Sequence, residues 1–175
     1  KPAGDGHWIS GGFFVMEPTY EEFGIMDYIF RTDGSGRKYL HMKAGGSVRP
    51  ASHDTVGGRE HYVYQEGQAV FKFAVSNMAD VAAEIMEKNN LGPEDIAWLV
   101  PHQANMRIID STGKKLGLPP EKVVVTVDVQ GNTSAASIPL AFDAAVRDGR
   151  IQRGQKVLLE GVGGGFTWGA VLLEF

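Results

Sequence analysis

The stretch Ile96-Ala97-Trp98-Leu99-Val100-Pro101-His102-Gln103-Ala104-Asn105 decides the fold. Residues 96–100 are a compact apolar run, and Pro101, which lacks a ladder N–H, stops it. Residues 104–116 then carry helical spacing and end at Gly117, so the stretch reads as a strand, a short link and a helix. Upstream, Phe71, Val75, Met78, Ala82 and Ile85 recur at helical spacing and predict a helix within residues 64–88, ended by Asn89-Asn90 and Gly92-Pro93. Downstream the alternation continues. It runs from a β-branched strand at 123–127 to a helix at 134–147 closed by Gly149, a strand at 156–160, a flexible Gly-rich turn at 161–165 and a last strand at 168–174. Runs such as Val123-Val124-Val125 and Val157-Leu158-Leu159 read as strands buried on both faces, as when helices cover both sides of a mixed sheet. The class is α/β.

Nearer the start, residues 4–12 are turn-rich, 13–16 and 25–31 read as strands, and Asp33-Gly34-Ser35-Gly36 as a turn before an extended piece at 39–42. Residues 45–58 are polar and Gly-rich and read as a surface loop. The 175 residues, 43% hydrophobic and 22% charged, suit one domain with an ordinary core. A formal charge of -4, with 17 Lys and Arg against 21 Asp and Glu, argues against a nucleic-acid partner. The absence of cysteine excludes a disulfide scaffold, a thiolate zinc site and a cysteine nucleophile within the chain. No apolar run is long enough to span a bilayer, and the first ten residues lack the apolar centre of a signal peptide, so the expected location is the cytoplasm. The opening on Lys1 and a Gly-rich segment suggests a fragment or processed chain.

In an open α/β sheet, polar groups just past the carboxyl ends of strands gather where ligands bind. Three segments fit: His102, Asn132 in Gly131-Asn132-Thr133-Ser134, and Gly163-Gly164-Gly165. Each also has a plain reading, as a helix-entry hydrogen bonder, a helix N-cap and a tight reversal between strands respectively. Arg107 and Lys114, seven residues apart with Lys115 beside them, put a cationic stripe next to His102, either a partner surface or a solvated helix face. His7, His41, His53 and His61 lack the spacing of a zinc site, so no metal is expected, and no Gly-rich segment has the form of a phosphate loop. Asp5, between Gly4 and Gly6, reads as turn chemistry.

Three motifs in order, Trp98 to Asn105, Gly131-Asn132-Thr133-Ser134-Ala135-Ala136-Ser137-Ile138-Pro139 and Gly163-Gly164-Gly165-Phe166-Thr167-Trp168-Gly169, resemble the carboxy-terminal half of β-ketoacyl-acyl carrier protein synthase III. The likeness is strong over residues 67–175 and weaker over 1–66. It implies a thiolase-like half, a mixed five-stranded sheet with covering helices, and one half of a five-layered αβαβα body that forms a homodimer. It also implies a decarboxylative Claisen condensation of acyl-CoA with malonyl-acyl carrier protein, through a Cys in the other half. By the same resemblance His102 and Asn132 are catalytic, and the Gly164 backbone belongs to the acyl-Cys oxyanion hole. Gly67, Phe71 and Asn105 lie near the CoA and pantetheine arm, and Arg107, Lys114 and Lys115 dock the carrier protein. Val162 stands where the family often has Phe. No cofactor is implied. The expected partners are acyl carrier protein, acyl-CoA and the missing amino-terminal half or a second chain, the last because half of such a body exposes an apolar face. Alternatives are a non-catalytic half that binds carrier protein or CoA or is merely structural, and a chain that decarboxylates malonyl thioester without condensing it.

Overall fold

Each apolar run can satisfy its backbone N–H and C=O groups only against another strand, and this requirement assembles the sheet. The computed structural model describes residues 7–9, 13–15 and 24–175. In chain order the strands are β1 (His7–Ile9), β2 (Phe13–Val15), β3 (Gly24–Thr32), β4 (Leu40–Met42), β5 (Val63–Gln65), β6 (Trp98–Pro101), β7 (Lys156–Gly163) and β8 (Thr167–Glu174). The α-helices are α1 (His53–Gly57), α2 (Gly67–Lys88), α3 (Met106–Lys115), α4 (Val127–Gln130) and α5 (Ser137–Arg147). Among the described residues the central sheet has the order β3-β8-β7-β6, with β6 parallel to β7 and the other neighbours antiparallel. Two small ribbons, β1 with β2 and β4 with β5, stand apart from it in the pairing.

Alternation along the strands sends side chains to two cores. Leu99, Leu158, Ala170 and Leu172 meet Val81, Ala82 and Ile85 of α2, while Val100 and Val157 meet Ala141 and Ala145 of α5. Small residues along α2 let it lie close to the sheet: Ala74, Ala79 and Ala82 are fully buried together with Met78 and Ile85. Close approach recurs at Gly169, where a Cβ would stand 2.6 Å from the Ile29 carbonyl oxygen, so only glycine fits beside β3 there. No described helix is long and apolar enough to cross a membrane.

Several expectations change in detail. Residues 123–127 do not form a fifth strand. Val123 makes one isolated parallel bridge to Leu99, the Val124 N–H donates to the Leu99 carbonyl at 2.8 Å, and α4 begins at Val127. The Gln103 side chain takes over the backbone groups that a ladder would otherwise pair, accepting from the Thr126 and Val127 N–H groups and donating to the Val124 carbonyl. The expected 45–58 loop contains α1, whose Ser52 and Thr55 bond each other's backbone N–H in a capping box. The supposed turn at 161–165 is mostly strand, because β7 pairs through Gly163 with Thr167. The Gly4-Asp5-Gly6 turn and the end of the first expected strand at Met16 lie outside the described residues.

Candidate active site

His102 leaves the sheet under control of its neighbour strand, its N–H donating to the Glu160 carbonyl at 2.8 Å and so extending the β6–β7 register by one residue. Its imidazole is half-buried, and Nδ1 lies 2.6 Å from Oγ of Ser137, the first residue of α5. Burial holds the His102 pKa below the ordinary histidine value, so the ring is neutral around pH 7.

Asn132 follows Gly131, whose φ of +68° and ψ of -168° form a backbone conformation essentially confined to glycine. Its Oδ1 accepts the Ser134 N–H at 3.0 Å. Ser134 also has a positive φ, +55°, and its carbonyl accepts the backbone N–H of Ser137, whose Oγ lies 2.9 Å from the same oxygen. His102 and Asn132, thirty positions apart, are thus tied to opposite ends of one four-residue segment, 134–137. The structure brings these two predicted residues onto a common support. One polar atom of each is spent on that support, and the imidazole Nε2 and the carboxamide Nδ2 have no hydrogen-bond partner among the described residues.

Gln103 ties segment 124–127, which leads into Asn132, to the end of β6, although nothing in its sequence context singled it out. It is fully buried and uses its whole amide: Nε2 donates to the Pro101 and Val124 carbonyls at 2.9 and 3.1 Å, and Oε1 accepts from Thr126 and Val127 at 2.8 and 3.0 Å. The substitution Gln103→Met, similar in shape, leaves these four buried backbone groups unpaired. It should lower the stability of the chain by about 3 kcal/mol or more, read as the shift of a urea unfolding midpoint. An unchanged midpoint would show that the amide is dispensable.

The Gly-rich turn is pinned by Phe166, which is buried and stacks on Phe73 of α2 with centroids 4.0 Å apart. At Gly164 a Cβ would lie 3.1 Å from the Leu40 carbonyl oxygen, so this position has little room for a side chain. A second grouping forms where α2, α3 and the end of β7 meet: Phe71, Ala104 and Val162 pack against Ala74, Met78 and Ile108. Gly67 is the first residue of α2, with open space where a Cβ would be, and Asn105 caps α3 by accepting the Ile108 N–H at 3.1 Å. The Arg107 guanidinium lies over the Phe71 ring at 4.8 Å.

The expected cationic stripe is less uniform than its spacing implied. Arg107 and Lys114 are exposed, but Asp110 is exposed between them, and Lys115 is paired with Asp80 of α2 at 2.6 Å. Of the other histidines, His61 has Nε2 2.9 Å from the Thr55 hydroxyl and His41 packs against Tyr64. No group of three or more His, Cys, Asp or Glu side chains among the described residues is placed to hold a metal. Sequence reading also missed Glu160, whose side chain is fully buried in β7 and accepts no hydrogen bond from a described residue. Burial pushes its pKa up to about 8.

A mixed sheet with helices on both faces and polar groups at the exits of β6 and β7 defines a thiolase-like half. The family described as 3-oxoacyl-[acyl-carrier-protein (ACP)] synthase III C terminal matches residues 86–175, and the chain belongs to this family. It is 50% identical over 162 residues to β-ketoacyl-[acyl-carrier-protein] synthase III 2 of Bacteroides thetaiotaomicron, a match covering 93% of this chain and 48% of that protein. To β-ketoacyl-[acyl-carrier-protein] synthase III of Porphyromonas gingivalis it is 48% identical over 172 residues, 98% of this chain and 50% of that protein. The crystal structure of the synthase III of Thermus thermophilus superposes with a TM-score of 0.77 at 44% identity, covering 89% of this chain and 47% of that one. The chain therefore spans about half the length of the curated relatives it matches.

Proposed function

We propose that this chain is the half of a 3-oxoacyl-[acyl-carrier-protein] synthase III that performs malonyl decarboxylation, with His102 and Asn132 as its catalytic pair. The observation that carries the reading is the common support: each side chain is anchored through one polar atom on segment 134–137 and keeps a second that can donate. Loss of CO₂ from a malonyl thioester leaves its bonding pair on the α-carbon, delocalised onto the thioester oxygen as an enolate. Two neutral, pre-positioned N–H donors stabilise that oxygen without titrating near neutral pH. The enolate carbon then attacks the acyl thioester of a cysteine and expels the thiolate. This chain has no cysteine, so that nucleophile comes from another segment or chain.

On this reading the backbone at Gly164 receives the oxyanion of the acyl-cysteine. Gly67, Phe71 and Asn105 lie along the pantetheine or CoA arm, and Val162, smaller than the Phe often found there, widens the acyl pocket. Arg107 and Lys114 carry most of the attraction for an acidic carrier protein, since Lys115 is already paired with Asp80. The exposed Met26, Tyr28 and Phe30 of β3 support an amino-terminal half or second chain that covers them. A homodimeric, cytoplasmic enzyme that needs no cofactor completes the reading, and the chain by itself is inactive in condensation.

To test this, the chain is mixed with a separately produced amino-terminal half of a synthase III, an acyl-CoA and malonyl-acyl carrier protein. The expected result is 3-oxoacyl-acyl carrier protein, detected by mass. A well-folded complex that yields none rules the reading out.

A further inference from the structure

The hydroxyl of Ser137 occupies a position that the condensation chemistry leaves unassigned. It has one proton and two acceptors within reach, Nδ1 of His102 at 2.6 Å and the Ser134 carbonyl at 2.9 Å, while the Gln103 N–H points at it from 3.3 Å. The Ser134 carbonyl already accepts the backbone N–H of Ser137 and is satisfied without the hydroxyl. The Gln103 N–H supplies a donor to Oγ, so Oγ needs no proton from the imidazole. Its own proton is therefore available to the closer acceptor, Nδ1. A neutral imidazole that accepts at one nitrogen carries its proton on the other.

We infer that Ser137 is a positioning residue: it donates its hydroxyl proton to Nδ1 of His102 and so fixes the tautomer in which Nε2 carries N–H. The device is local and complete. Ser137 is almost fully buried, it begins α5, and its backbone is held by the same Ser134 carbonyl, so the hydroxyl has no solvent competitor and little freedom to turn. If the proton went instead to Ser134, Nδ1–H would donate to Oγ, and Nε2 would present a lone pair where the proposed chemistry needs a donor. The catalytic meaning of the tautomer rests on the proposed function; the tautomer itself does not.

The experiment is nitrogen-15 NMR of the imidazole of His102 in the 175-residue chain, at a pH where the ring is neutral. The expected wild-type spectrum has Nε2 in the protonated and Nδ1 in the unprotonated range. In Ser137→Ala both resonances shift toward each other as a mixture of tautomers forms, and Ser137→Thr, which keeps a hydroxyl, restores the separation. A wild-type spectrum with the proton on Nδ1 overturns the inference. So does a folded Ser137→Ala variant with both shifts unchanged. If Ser137→Ala does not fold, the wild-type spectrum alone decides. Failure of the reconstituted enzyme to condense while His102 shows the Nε2–H form would remove the functional reading and leave this inference standing.

Discussion

Replacing His102 or Asn132 with Ala will slow malonyl decarboxylation by the reconstituted enzyme about 100- to 1000-fold, because each change removes a donor that acts on charge developing in the transition state. The loss will fall on kcat, with KM for malonyl-acyl carrier protein little altered, since the thioester oxygen gains its full negative charge only as CO₂ departs. The double variant will be slower than either single one, but its loss relative to wild type will be smaller than the product of the two single losses, because both donors serve one oxygen. Asn132→Asp separates a donor from a mere spacer. It keeps the shape but sets a negative charge beside the forming enolate, and so will be slower than Asn132→Ala. Release of labelled CO₂ from malonyl-acyl carrier protein is the measurement. Either alanine variant decarboxylating at the wild-type rate, or Asn132→Asp matching Asn132→Ala, would sink the assignment.

The second large effect belongs to Glu160, a carboxyl buried in β7 whose pKa rises from 4.5 to about 8. The cause is desolvation alone, so the folded chain favours the neutral acid. The unfolded chain loses this proton near pH 4.5, whereas the folded chain keeps it until about pH 8. Between those values the folded state binds the extra proton, so stability falls as pH rises and levels off beyond the folded pKa. At about 1.4 kcal/mol per pH unit the loss is on the order of 4 kcal/mol over the window. Glu160→Gln cannot ionise. The drop in unfolding free energy from pH 5 to pH 8.5 will therefore be smaller in this variant by that amount, and titration of all other groups cancels in the difference. Parallel pH profiles for the two proteins would mean that Glu160 ionises in the fold as readily as in water.

The sequence marked His102 and Asn132 as the proposed pair, and the structure ties both to segment 134–137, yet the groups that anchor them were not legible beforehand. Gln103 bonds backbone groups 21 to 24 residues away, and Ser137 reaches His102 across 35. Neither spacing follows from a helical or strand period, and a buried Gln or Ser looks the same in sequence as an exposed one. The same limit produced the error at residues 123–127. Three consecutive valines there have the composition of a strand, but the Gln103 amide, delivered from the end of β6, pairs the backbone that a neighbouring strand would have used. At Lys115 the spacing along α3 located the charge, and only the packing of α3 on α2 supplied Asp80 to neutralise it.

By itself the sequence determined what is local and periodic. The spacing of Phe71, Val75, Met78, Ala82 and Ile85 marks α2, and Gly117 and Gly149 follow the ends of α3 and α5, whereas β6 starts at Trp98 and includes Pro101, the residue expected to stop it. These features act through neighbouring backbone and need no knowledge of what lies opposite. Tertiary structure alone decided the strand order β3-β8-β7-β6, the burial of Glu160 and the bond from Ser137 to His102, since each depends on surfaces that meet only after distant segments have packed. The free energy of a buried polar atom is set by its partner and by exclusion of water, and neither exists until the sheet has closed over it.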